Sequence, residues 1–68
     1  MEELTPSEAI IYLAENITPP VPKGLQEAKY AAQGKRDYEV GVSSVLKMIE
    51  RYDPERKILD AQVVITKK

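Results

Sequence analysis

Ile10, Leu13, Ala14 and Ile17 recur at helical spacing and share one helix face. Just ahead of them stands Thr5-Pro6-Ser7-Glu8. Thr5 suits the cap position, Pro6 the first helical position, and Glu8 sits where a capping box needs an acid. The pattern predicts helix 1 over about 6–16, with Glu15 unfavourably placed near the negative end of the helix dipole. A second stripe, Leu25, Ala28 and Ala32 with Tyr30 and Ala31 on its flanks, predicts helix 2 over about 23–33. Its small residues bury little area, so this helix depends on a neighbour. Gly34 fits a left-handed position just past its end; a second reading lets one long helix pass through it, at a cost of only about 1 kcal/mol.

The third stripe is longer. Tyr38, Val42, Val45, Ile49 and Tyr52 alternate by four and three, Leu46 widens the face, and Gly41 on the flank permits close approach. Helix 3 is expected over about 36–52, ended by Asp53-Pro54. Glu39, Ser43, Lys47, Glu50 and Arg51 form its wet side. The fold class that follows is all-α: a small three-helix bundle with a short C-terminal helix or strand-like arm.

Residues 54–60 read as a short fourth helix capped by Asp53, whereas the β-branched run Val63-Val64-Ile65-Thr66 favours a strand. No earlier segment reads as a strand partner. The tail is therefore expected to be helical with a loose end over 61–68, or else a strand that pairs between copies. Three of the five prolines lie within Asn16–Gly24. Residues 17–22 are best read as an elbow that stops helix 1 and starts helix 2. Pro19-Pro20-Val21-Pro22 also satisfies a P-x-x-P docking pattern, but the basic residue that one class of such ligands requires falls one position early, at Lys23.

Length and composition narrow the choices. Sixty-eight residues form one small domain with a marginal core. Without cysteine or histidine, disulfides and Cys/His zinc sites are excluded, which leaves oligomerisation as the available staple. No apolar run approaches the roughly 20 residues of a membrane span. The acidic start MEELTPSE lacks the features of a signal peptide. The expected setting is cytoplasmic, with no membrane contact.

Candidate chemistry is sparse. Ser7 lies in a capping turn, and Ser43 and Ser44 have no histidine to activate them. Asp53, Glu55 and Asp60 lack the spacing of a calcium loop and read as solvated helix-end charges. No glycine-rich phosphate loop is present, and no cofactor, metal or catalytic residue is assigned. The chain reads as a non-enzyme.

The net charge of −1 is unevenly distributed: the first 22 residues carry four acids and no base, and the rest carry ten bases and seven acids. Lys35, Arg36, Arg51, Arg56 and Lys57 are the candidates for a nucleic-acid surface, with helices 2 and 3 as a helix-turn-helix-like pair. The mixed charge of helix 3 disfavours that alternative. The favoured partner is protein, in the first place a second copy of this chain. Tyr38, Val42, Val45, Ile49, Tyr52, Val63 and Ile65 are the candidate core or interface residues.

Ser-Glu-Ala-Ile-Ile-Tyr-Leu (7–13) together with Tyr-Glu-Val-Gly-Val-Ser-Ser-Val-Leu-Lys-Met-Ile-Glu (38–50) resembles short helical proteins of phages and prophages, which carry an "EAI-x-x-L" segment and then "YEVAI-x-ALEK". Gly41 departs from the alanine usual there. The resemblance covers about half of the chain and implies a small helical accessory or regulatory protein, with no catalytic motif.

Overall fold

In the computed structural model, residues 3–37 and 39–66 are described. Elements follow in the order β1 (Glu3–Leu4), α1 (Pro6–Asn16), α2 (Lys23–Ala32), α3 (Val42–Tyr52) and β2 (Val64–Ile65). The chain is mostly helical, and its radius of gyration of 10.8 Å matches the roughly 11 Å of a compact chain this long. No described helix is long and apolar enough to cross a membrane.

The capping box forms as its residues dictate. Thr5 Oγ1 accepts from the Glu8 N–H at 3.2 Å, and Glu8 Oε1 accepts from the Thr5 N–H at 2.9 Å. α1 then buries Ala9, Ile10, Leu13 and Ala14 and is the central helix, packed against both α2 and α3. Residues 17–22 turn the chain into α2, which buries Leu25, Ala28 and Ala31. Ala31 therefore takes the inward position expected of Ala32, which is half-buried.

α2 ends as Gly34 suggests. Gly34 has φ 79°. Its N–H donates to Ala31 O at 3.0 Å, and the Lys35 N–H donates to Tyr30 O at 2.8 Å. These two bonds make a Schellman motif, which satisfies the last carbonyls and turns the chain away.

Helix 3 starts later than expected, at Val42 rather than near 36. Once the Schellman turn has redirected the chain, Gly41 is extended (φ −121°, ψ −178°) and serves as the N-cap. Glycine and the β-branched Val40 and Val42 disfavour an earlier start. Gly41 makes no close approach: a Cβ there would meet nothing within 4 Å. Val45 and Ile49 are buried, Val42 and Tyr52 half-buried. Leu46 does not widen the stripe, because it faces outward and is 52% exposed. Tyr38 lies outside the described residues.

The tail departs furthest from expectation. Residues 54–62 form successive turns instead of a fourth helix. Val64–Ile65 is a strand, but its partner is β1 of the same chain, in parallel register with Glu3 opposite Val64 and Leu4 opposite Ile65. Glu3 and Val64 face outward, while Leu4 and Ile65 pack on the core. The N-terminal partner escapes notice because two residues show no alternation. The strand depends on the helical core beneath it, since so short a pair cannot stand alone.

The fold also requires a close approach at Gly24, in the first turn of α2. A Cβ at this position would lie 2.9 Å from Tyr52 Oη. Gly24→Ala gains up to about 1 kcal/mol of helix propensity but must displace that hydroxyl. Urea unfolding of Gly24→Ala, Tyr52→Phe and the double variant should therefore show coupling, with Gly24→Ala more favourable when Tyr52 is Phe.

Candidate interaction surface

A surface cleft of about 250 Å³ is lined by Leu4, Tyr12, Ile58, Leu59, Val63, Lys57 and Asp60. Its construction begins at the end of α3. The Asp53 N–H donates to Ile49 O at 2.8 Å, closing the helix. The Asp53 side chain then turns inward and is only 4% exposed. Oδ1 accepts from the N–H groups of Lys57 (2.8 Å) and Ile58 (3.0 Å), and Oδ2 accepts from Leu59 (2.8 Å). Asp53 is thus the cap foreseen for this segment, but of a turn and not a helix. It is also buried, unlike the solvated helix-end charge expected. Three N–H donors replace the water that a buried carboxylate loses.

Arg56 completes the turn from the other side. Its φ is 55°, an uncommon value for a residue with a side chain. Nε donates to Leu59 O at 3.1 Å, and Nη2 donates to Asp60 O at 3.3 Å and Val63 O at 3.1 Å. Asp53 holds N–H groups and Arg56 holds carbonyls of the same stretch. Leu59, bonded to both, puts its side chain into the core with no exposure.

The cleft lies beside this turn. Leu4 of β1 and Val63, just ahead of β2, border it, and Tyr12 closes one side from α1 while remaining 45% exposed. Lys57 bears a cation, paired with Glu55 at 3.0 Å. Asp60 bears a carboxylate that accepts from the Gln62 N–H at 2.9 Å. The cleft is thus of mixed character: more of its exposed lining is polar than apolar, with one charge of each sign beside the edges of Leu4, Tyr12, Ile58 and Val63.

The candidates named from sequence are dispersed. Val45 and Ile49 belong to the chain's own core. Val63 lines the cleft, and Ile65 packs half-buried against the core. Of the basic residues, Arg56 is a structural donor. Arg36 pairs with Glu27 at 2.9 Å, Lys57 pairs with Glu55, and Arg51 is exposed. Lys35 and Arg36 each lie 5.9 Å from the Tyr30 ring. Residues 33–41 join α2 to α3, a longer link than the three- to four-residue turn of a helix-turn-helix.

Leu4, Tyr12, Ile58 and Asp60 were not singled out as site residues. Tyr12 carried a signal, since it lies out of phase with the Ile10, Leu13, Ala14, Ile17 stripe and so had to face outward. Ile58 carried none, because its position depends on the Asp53 turn.

Among the described residues, no group of three acids converges to hold a metal. Compared with family models, curated proteins and solved structures, the chain matches none.

Asp53→Asn replaces an acceptor oxygen with a donor facing backbone N–H groups. It should lower stability by about 2–3 kcal/mol, read as a lower urea midpoint with an unchanged slope. Wild-type stability for this variant would contradict the role given to Asp53.

Proposed function

We propose that this chain is a small non-enzymatic accessory or regulatory protein, of the mobile-element kind its sequence resembles, built as a three-helix bundle. It acts through protein–protein contacts, and the first partner is a second copy of itself. The observation that carries this reading is that Tyr12, Leu46 and Val64 leave large apolar side chains exposed, Tyr12 at the edge of the cleft. A domain of this size has a small core, and burying these exposed side chains in a dimer adds apolar area at about 25 cal/mol per Å².

A second reading rests on Tyr30, whose ring has Lys35 and Arg36 each 5.9 Å from its centroid. Aromatic rings flanked by cations stack nucleobases and contact phosphates. The ion pair of Arg36 with Glu27 competes with that use, which places nucleic acid second.

Light scattering over a wide concentration range tests the first reading. The wild type should reach the mass of a dimer, and Tyr12→Glu should remain monomeric with an unchanged far-UV spectrum. A folded wild-type monomer at every concentration would refute self-association. For the second reading, single- and double-stranded DNA are titrated at low salt. Binding that falls steeply with salt and is lost in Lys35→Glu/Arg36→Glu would favour it. No binding at low salt removes it.

A further inference from the structure

The parallel register determines which way the backbone of β2 points. The Thr66 N–H donates to Leu4 O at 2.9 Å, and Leu4 pairs with Ile65. Along a strand, successive residues direct their N–H and C=O groups to opposite edges. Val64 and Thr66 therefore point toward β1, and Val63 and Ile65 point outward. The outward groups of Val63 are already occupied. Its N–H donates to Asp60 O at 2.9 Å, and its carbonyl accepts from Arg56 Nη2 at 3.1 Å.

We propose that Arg56, whose Nη2 holds both the Val63 carbonyl and the Asp60 carbonyl that engages the Val63 N–H, is an edge latch that keeps this turn closed and prevents β2 from pairing with β2 of a second copy. The latched edge offers only Ile65. Two outward residues are needed for a symmetric antiparallel pair: a twofold axis at Val64 would set Val63 against Ile65 of the second copy, and Ile65 against Val63 of that copy. Val64, 42% exposed on the outer sheet face, would then lie opposite its own equivalent. Val63-Val64-Ile65-Thr66 carries no charge and is β-branched throughout, a segment that pairs readily when its edge is open. A guanidinium bonded along the edge is a natural means of closing it. Val63 and Asp60 also line the cleft, but this inference concerns their backbone groups and Val64, whereas the cleft reading is tested at the side chain of Tyr12.

Arg56→Gly is the informative variant. Glycine adopts φ 55° without strain, so the latch is removed without backbone strain, and the three N–H bonds to Asp53 still hold the turn. The mass by light scattering should be twice that of the wild type at the same concentration. In Arg56→Gly/Val64→Lys, two lysines would face each other across the axis, and the mass should return to the wild-type value. Val64 is exposed, so that lysine costs the single chain little. A folded Arg56→Gly variant with wild-type mass would overturn the proposal, as would a doubled mass that persists with Val64→Lys. If Arg56→Gly does not fold cooperatively, Arg56→Asn serves in its place, because asparagine also tolerates a left-handed backbone. Loss of folding in both variants would assign Arg56 to the fold alone and overturn the edge role.

Discussion

A single buried carboxylate organises the C-terminal third of this protein. Asp53 closes α3 with its backbone and gathers three N–H groups with its side chain. An unpaired carboxylate with 4% exposure would carry a large desolvation cost, so the turn and the burial require each other. The turn aims Leu59 inward, among Ile10, Leu13, Leu25 and Val45. Fully burying a leucine contributes about 2–3 kcal/mol, a substantial share for a chain of 68 residues.

The parallel pair follows from that turn. Parallel strands need a long crossover, and here the whole helical domain lies between β1 and β2. The clasp ties both ends of the described chain to the same core: Leu4 and Ile65 pack against it, and Thr66 bonds to Leu4. Arg56 adds a second constraint by anchoring the carbonyls of Leu59, Asp60 and Val63. The cleft exists because the turn, the clasp and Tyr12 of α1 meet there. The cleft is thus assembled from segments far apart in sequence.

Much of the helical part was legible in the sequence. α1 could be read to the residue from Thr5-Pro6-Ser7-Glu8 and its stripe, because capping and periodicity are local. Gly34 was legible for the same reason, since only the backbone at that point decides its role. The start of α3 was misread because Tyr38 fits the stripe by spacing while Gly41 interrupts the helix. The tail was illegible for a physical reason. Asp53 has partners four to six residues ahead, and Val64–Ile65 pairs with residues near the other end of the chain. Neither relation has a period. The candidate surface inherits that difficulty: Tyr12 could be found by its phase, but Ile58 and Leu4 reach the cleft only through the turn and the clasp.

The central claim is that the Asp53 carboxylate fixes Leu59 in the core. Native-state amide exchange of Lys57, Ile58 and Leu59 tests it most directly. If the claim holds, these three loop amides exchange as slowly as amides within α1, opening only with global unfolding, despite lying outside any helix or strand. Exchange at the rate of a solvated loop would contradict it, and would show that the turn opens while the helices remain folded.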